Sequence, residues 1–295
     1  MSAIDIRYAP AAFERRQRRN ARVSALGWAA CALAFALLAS ALLDILFLVF
    51  HRGLSALNLQ LFLTPTSGIG GGLLNAIEGS VLLTLGALLL AVPIGVLGGI
   101  YVSEYSRDWL AHSVRFVADV LVGVPSIVFG LFGYLTMVTA LDWHFSMAAG
   151  CITLALMIAP YMLRTTELAL RGVPHELREA SYALGAGQAA TVTHVLLREC
   201  ASRVLTGILL ATAISMGETA PLIYTVNWSN YYWNGHLTHE PVAYLTYVIW
   251  SFINEPFASA HALAYAAALM ITLFVLALTL LARLSLNRLT VRRSA

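Results

Sequence analysis

Six apolar runs, each close to twenty residues long, divide this chain, and nearly all of its arginines fall in alternate gaps between them. The runs cover about 26–50, 76–101, 117–140, 147–163, 205–225 and 263–284. A helix of roughly 20 apolar residues is what crosses a hydrocarbon core about 30 Å thick. No ten-residue alternating pattern of the kind a membrane barrel needs is present. Composition agrees: 11% of the residues are charged and 59% are hydrophobic, against about a quarter charged in an ordinary soluble domain. The expected fold is an all-α membrane protein with six transmembrane helices. The first run is longer than the roughly 7–15-residue core of a signal peptide and is read as an anchor, with Asp44 near its outer end expected to cap or pair there.

The arginines orient the spans. The 1–25 tail holds Arg7, Arg15, Arg16, Arg18, Arg19 and Arg22. Arg107 and Arg115 follow span 2, Arg164, Arg171, Arg178, Arg198 and Arg203 follow span 4, and Arg283, Arg288, Arg292 and Arg293 close the chain. Of the 18 basic residues, only Arg52 falls on the other side. Positive charge stays cytoplasmic, so both termini are expected inside the cell. The chain contains no lysine. A phosphate-cradling P-loop needs one, so an ATP-driven process involving this chain requires ATP and magnesium on another subunit, and no cofactor is expected here.

Spans 2 to 5 carry interior prolines at Pro93, Pro125, Pro160 and Pro221. Such residues break the backbone ladder and persist in membranes where a neighbour or a cavity satisfies the freed groups. Four successive kinked spans suggest a bundle with a moving or wet interior. Glycines in PIGVLGG (93–99) and GVPSIVFGLFG (123–133) are expected to let helices approach closely, and GIGGG (68–72) to form a flexible outer loop. Cys31, Cys151 and Cys200 lie in or beside apolar runs without a C-x-x-C pair and read as core residues. The long outer loop 226–262 is rich in Trp and Tyr, as expected of residues at a membrane interface; a lid over an external partner is the alternative. HLTHE (236–240) does not match the H-E-x-x-H zinc helix, and no metal site is expected from it.

Glu218, in GETAPL, falls inside span 5, where a carboxylate costs about 2.5–3.5 kcal/mol on insertion scales. It is read as lining the pathway, with bonding to backbone freed by Pro221 as the alternative. Thr219, Pro221, Pro125 and Ser126 are the other candidate pathway residues. Arg203 lies roughly 22 Å away along a straight helix at about 1.5 Å per residue, so a cation for Glu218 is expected from another subunit. Glu78 and Asp119 are read as interfacial or capping groups.

The largest polar loop, 164–203, contains EASYALGAG (179–187). Pro174 suits the start of a helix and Glu176 and Glu179 favour its positive end. Leu177, Ala180 and Leu184 share one face, Gly185 stops the helix, and the small Ala180 and Ser181 invite close packing. A second helix is expected from about Thr191.

EASYALGAG with the following VLLR resembles the EAA loop of ABC-importer permeases, through Glu179, Ala180, Ser181, Gly185, Val195 and Leu197. Arg198 stands where that family usually has proline. GETAPL, VPIGVLGGIYVSEY (92–105) and VPSIVFGLFGY (124–134) narrow the resemblance to the A-type (PstA-type) permeases of phosphate importers. The resemblance implies a type I importer permease core, the MetI-like fold, over 68–285, with tails at 1–25 and 286–295. It implies translocation of inorganic phosphate by alternating access in the bacterial inner membrane. The implied partners are a C-type permease, an ATPase dimer seated on the EAA helix, and a periplasmic phosphate-binding protein. Related chains often carry arginine four residues before Glu218, where this chain has Ile214. A permease for another oxyanion is the alternative; a membrane-embedded enzyme is a distant one, since GVPSIVFG is not a G-x-S-x-G elbow.

Overall fold

A computed structural model describes residues 10–291 of the chain. It divides into two units, residues 1–51 and 52–295. The whole of the first unit's described part lies in helix α1, Pro10–Ala56. Its apolar stretch Val23–Ala56 is long enough to cross a membrane, and large side chains such as Trp28, Phe35 and Leu38 are exposed along it, as lipid contact requires. The helix runs twelve residues past Asp44, which is exposed and therefore does not cap its end.

The second unit is the bundle. After a single 3-10 turn at Leu59–Phe62, two short strands, β1 (Thr66–Ser67) and β2 (Gly70–Gly71), pair antiparallel with Thr66 opposite Gly71. The expected flexible glycine loop is thus a hairpin. Asn75 holds it by accepting from the Thr66 amide and hydroxyl, both at 3.0 Å. Helix α2 (Leu74–Ile100) continues into a π-helical turn, Tyr101–Tyr105. Helices α3 (Asp108–Gly123) and α4 (Ser126–Gly133), the latter extended by a π-helical stretch to Ala140, meet at a 95° bend. The stretch expected to be one kinked span is therefore two helices that meet at a sharp break. Val124 and Pro125 take extended backbone angles between the two pieces, because proline excludes the helical conformation at the residue before it.

Helix α5 (Met147–Arg171) forms the centre and packs along α2. It runs eight residues beyond the expected end of the fourth span. Helix α6 (His175–Ala183) follows, and then α7 (Gln188–Ala190), a π-helical stretch Thr191–Leu196 and α8 (Leu197–Gly217) form one continuous span. Helices α9 (Ala220–Thr225), α10 (Leu245–Phe252) and α11 (Ala258–Val291) complete the fold. By length and composition the described residues hold five membrane-length helices, or six spans if the bent α3–α4 pair counts as one.

Close helix approach rests on glycine, as the sequence suggested. A methyl group on Gly99 would lie 2.7 Å from the Leu163 carbonyl oxygen, and one on Gly95 2.9 Å from that of Ala159. The main core then fills from α2, α5 and α8 with Leu83, Ala87, Leu154, Ile158, Met162 and Ala211. The 226–262 segment is not an open loop. Val242, Ala243 and Tyr244 are buried, the Leu245 amide donates to Ser80 Oγ at 2.8 Å, and α10 packs on α11. Its aromatic residues stack on one another, Trp228 on Tyr247 with ring centres 5.0 Å apart. Arg52 lies over the Tyr265 ring at 5.3 Å.

Candidate functional site

Two helix breaks meet inside the bundle. Helix α8 stops at Gly217, Glu218 is extended (φ −73°, ψ 134°), and α9 starts at Ala220. Glu218 thus sits at a break, not within the continuous helix expected from the sequence. The second break is Val124–Pro125. They adjoin because α4 packs on α9 through Gly130, where a methyl group would lie 2.7 Å from Pro221 Cα. Ser126, at the start of α4, lies in the same cavity lining as the half-buried Glu218 carboxylate. The Glu218 carbonyl, freed by the break, accepts from Thr246 Oγ1 at 2.8 Å. Both side chains line a cavity of about 300 Å3 with Val124, Met157, Tyr161 and Ile214.

The structure therefore brings Ser126 and Glu218 together. Pro125 supplies the bend beside them. Pro221 is buried against Gly130 and is a packing residue, and the Thr219 carbonyl starts α9 by accepting from the Leu222 and Ile223 amides. On the far side of the break, the hydroxyls of Ser215 and Tyr244 are buried without a protein partner. No cationic side chain lines the cavity.

At one end of α5 lies α6. Pro174 precedes its first turn, and its end is a paired cap: the Gly185 amide donates to Tyr182 O at 2.9 Å and the Ala186 amide to Ser181 O at 3.2 Å. This arrangement needs a left-handed residue, and Gly185 supplies it at φ +84°. Leu177, Glu179, Ala180 and Leu184 are all exposed, Leu184 at 89%. Ser181 does not join that face. It is buried, and its hydroxyl bonds Thr191 Oγ1 at 2.8 Å, so its small size serves packing within this chain. Val195 and Leu197 likewise pack against the buried Ala169, Leu170, Val173 and Leu196. The chain passes Arg198 in unbroken helix, so the missing proline leaves the entry to this span straight.

Arg178 ties α6 to the bundle. It donates to the carbonyls of Val173 and Leu170 and to Glu104 Oε1, each at 2.9 Å. Arg203 reaches the Ala169 carbonyl at 3.2 Å. Two arginines thus satisfy the last carbonyls of α5, where the helix dipole favours positive charge.

A profile of the family described as binding-protein-dependent transport system inner membrane component matches residues 91–291. This chain belongs to that family. As a member it is a multi-pass inner-membrane permease component of an ABC importer. The relatives it resembles include the phosphate transport system permease protein PstA 2 of Mycobacterium bovis, 42% identical over 275 residues that cover 93% of this chain and 91% of that one. Another is the PstA of Yersinia pestis, 43% identical over 290 residues, 96% and 97% of the two chains. Among solved structures, the MetNI methionine ABC transporter in inward-facing conformations matches with a TM-score of 0.56 at 16% identity, over 72% of this chain and 94% of that chain. At that identity the likeness is one of fold alone.

Sequence reasoning missed the largest charge cluster among the described residues of this permease. Glu167 on α5 is fully buried and pairs with Arg115 of α3 and with Arg164 and Arg171 of its own helix. Arg164 also holds Asp119 at 2.7 Å, so Asp119 is a helix–helix tie and not a cap. The signal was present as Arg164, Glu167 and Arg171, spaced three and four apart on one helical face. It was hidden by ending the fourth span at residue 163. Among the described residues one group of metal-capable side chains converges, Asp142, His144 and His239. His236 and Glu240, the neighbours of His239 in HLTHE, are not part of it.

Proposed function

We propose that this chain is one permease half of a phosphate importer. The observation that carries the reading is its 42–43% identity, across more than nine-tenths of its length, to permeases named for phosphate transport. The cavity at the two breaks supports it. Protonated phosphate offers a hydrogen-bond donor, and a carboxylate such as Glu218 accepts it, whereas sulfate at neutral pH has no proton to give. Glu218 and Ser126 would face the substrate, and positive charge would come from a homologous C-type permease, since Ile214 offers none.

The arginine distribution supports a cytoplasmic position for both termini and α6. An ATPase dimer, which would bind ATP and magnesium, would seat on the exposed Leu177, Ala180 and Leu184 face with Glu179 at its edge. A periplasmic phosphate-binding protein would dock at the opposite membrane face. Closure of the ATPases would push α6. Arg178 would pass the motion to α5 and, through Glu104, to α2, rocking the broken spans around the cavity.

The test is uptake of labelled phosphate by the full complex reconstituted in vesicles with its binding protein, with unlabelled sulfate as competitor. ATP-dependent accumulation that excess sulfate leaves intact is expected. Uptake that sulfate competes away assigns the complex to oxyanions generally.

A further inference from the structure

The Asp142–His144–His239 trio belongs neither to the cavity nor to α6. Asp142 and His144 lie in the link between the π-helical end of α4 and the start of α5, and His239 in the segment after α9. This link precedes α5 and α6 follows it. A straight 25-residue helix spans about 37 Å at about 1.5 Å per residue, so the trio and α6 lie at opposite membrane faces.

From the convergence of these three side chains we propose that they form a binding site for a single zinc-class divalent metal ion. One donor atom from each residue lies within 4.8 Å of the other two, and His144 Nδ1 is 3.5 Å from Asp142 Oδ1. Zinc bonds of about 2.0–2.1 Å in a tetrahedron place ligand atoms roughly 3.3–3.4 Å apart. Small side-chain rotations close the remaining gap, and all three residues are exposed and free to make them. Two imidazoles and one carboxylate suit zinc and its borderline neighbours, whereas calcium and magnesium call for an all-oxygen shell. His239 Nδ1 is engaged by Thr238 Oγ1 at 3.0 Å. Its Nε2 is then the ligand nitrogen, and an outer hydrogen bond of this kind is what orients a metal-bound imidazole.

The backbone is committed to the arrangement. Asp142, His144 and His239 have φ of +56°, +54° and +70°, and they are three of the four non-glycine residues at positive φ among the described residues. Each such residue costs on the order of 1–3 kcal/mol and persists only where its surroundings enforce it. The two segments are also pinned together, the His239 amide donating to Trp143 O at 2.8 Å and the Ala148 amide to Leu237 O at 2.9 Å. The donor set therefore comes from a fixed frame and not from two loose loops. Three protein ligands leave a fourth position for water. A bound ion would staple the start of α5 to the segment that turns back into the bundle at Val242–Tyr244.

The experiment is calorimetric titration of zinc chloride into the full permease complex in detergent, without a histidine tag and after dialysis against a chelator. Wild type is expected to take one more zinc ion per copy of this chain than the His144→Ala/His239→Ala double variant. Each single variant should weaken that site by at least about 10–100-fold, the loss seen even for outer partners of a metal. His236→Ala should leave it unchanged, and magnesium chloride should give no such site. Cobalt(II) loading adds a spectroscopic readout: a ligand-field band is expected in the wild type and absent in the double variant. Equal zinc uptake and equal cobalt spectra in the wild type and the double variant would overturn the proposal. So would a loss in His236→Ala as large as in His239→Ala.

Discussion

Charge is handled in opposite ways at the two working regions of this permease. Near α6, Glu104 meets Arg178, Glu167 meets Arg115, Arg164 and Arg171, and Asp119 meets Arg164. At the paired breaks, Glu218 faces a cavity with a serine hydroxyl and mostly apolar side chains, and no cationic residue lines it. Matched buried charges fix a shape, because removing either partner strands the other in a low-dielectric interior. A carboxylate that lines an open cavity with no cation beside it is instead available to what passes. The contrast fits the proposed division, in which the α6 end would transmit and the broken-helix region would recognise.

The strongest way to break this contrast is to disarm one matched set. Arg178→Ala leaves Glu104, only 10% exposed, without its partner. It should cost about 3–5 kcal/mol, read as a lower midpoint of thermal unfolding in detergent. Adding Glu104→Gln should recover part of the loss; wild-type melting in the single variant would show that the pair holds nothing. Next comes Glu218→Gln, which should leave melting within about 0.5 kcal/mol of wild type. Phosphate uptake should nevertheless fall by tenfold or more, the equivalent of one charge-assisted hydrogen bond at about 1.5–3 kcal/mol. Unchanged uptake would remove Glu218 from the pathway.

Glu179→Lys tests the exposed face of α6. An exposed charge of this kind is worth up to about 1 kcal/mol, so ATPase docking should weaken about fivefold with the fold intact, as measured by co-purification and ATPase activity. Smallest is Gly185→Ala, which forces a side chain into the left-handed region for about 1 kcal/mol. It should fray the end of α6 in hydrogen exchange without moving the global melting point by more than a few degrees.

The sequence disclosed what depends on long windows: six apolar stretches, alternating arginines, the proline sites, and a helix over 175–183 with its glycine stop. It concealed what depends on partners distant in sequence. Hydropathy continues across Glu218 and Val124, so neither break is visible as a change in pattern, and the bend follows from proline together with the α4–α9 packing. Charged residues after 163 look like the end of a span, yet α5 keeps them because Glu167 gathers three arginines there. Helix α10 was lost among interface aromatics whose stacking partners, Trp228 and Tyr247, lie far apart in sequence. Ser181 shows the converse case. Its place in the motif suggested a partner surface, whereas its hydroxyl faces Thr191 of the same chain.

The glycine seam between α2 and α5 has a mechanical meaning. At Gly95 and Gly99 one backbone comes directly against the other, with only the Leu163 side chain lying between them at Gly98. Two rods joined in this way have almost no backlash: a displacement at one end arrives at the other nearly undiminished. If α6 is driven, as the proposed function has it, α5 would act as a push-rod with the link holding Asp142 and His144 at its tip. A displacement imposed at one end of α5 would then reach the other end through backbone contact with α2.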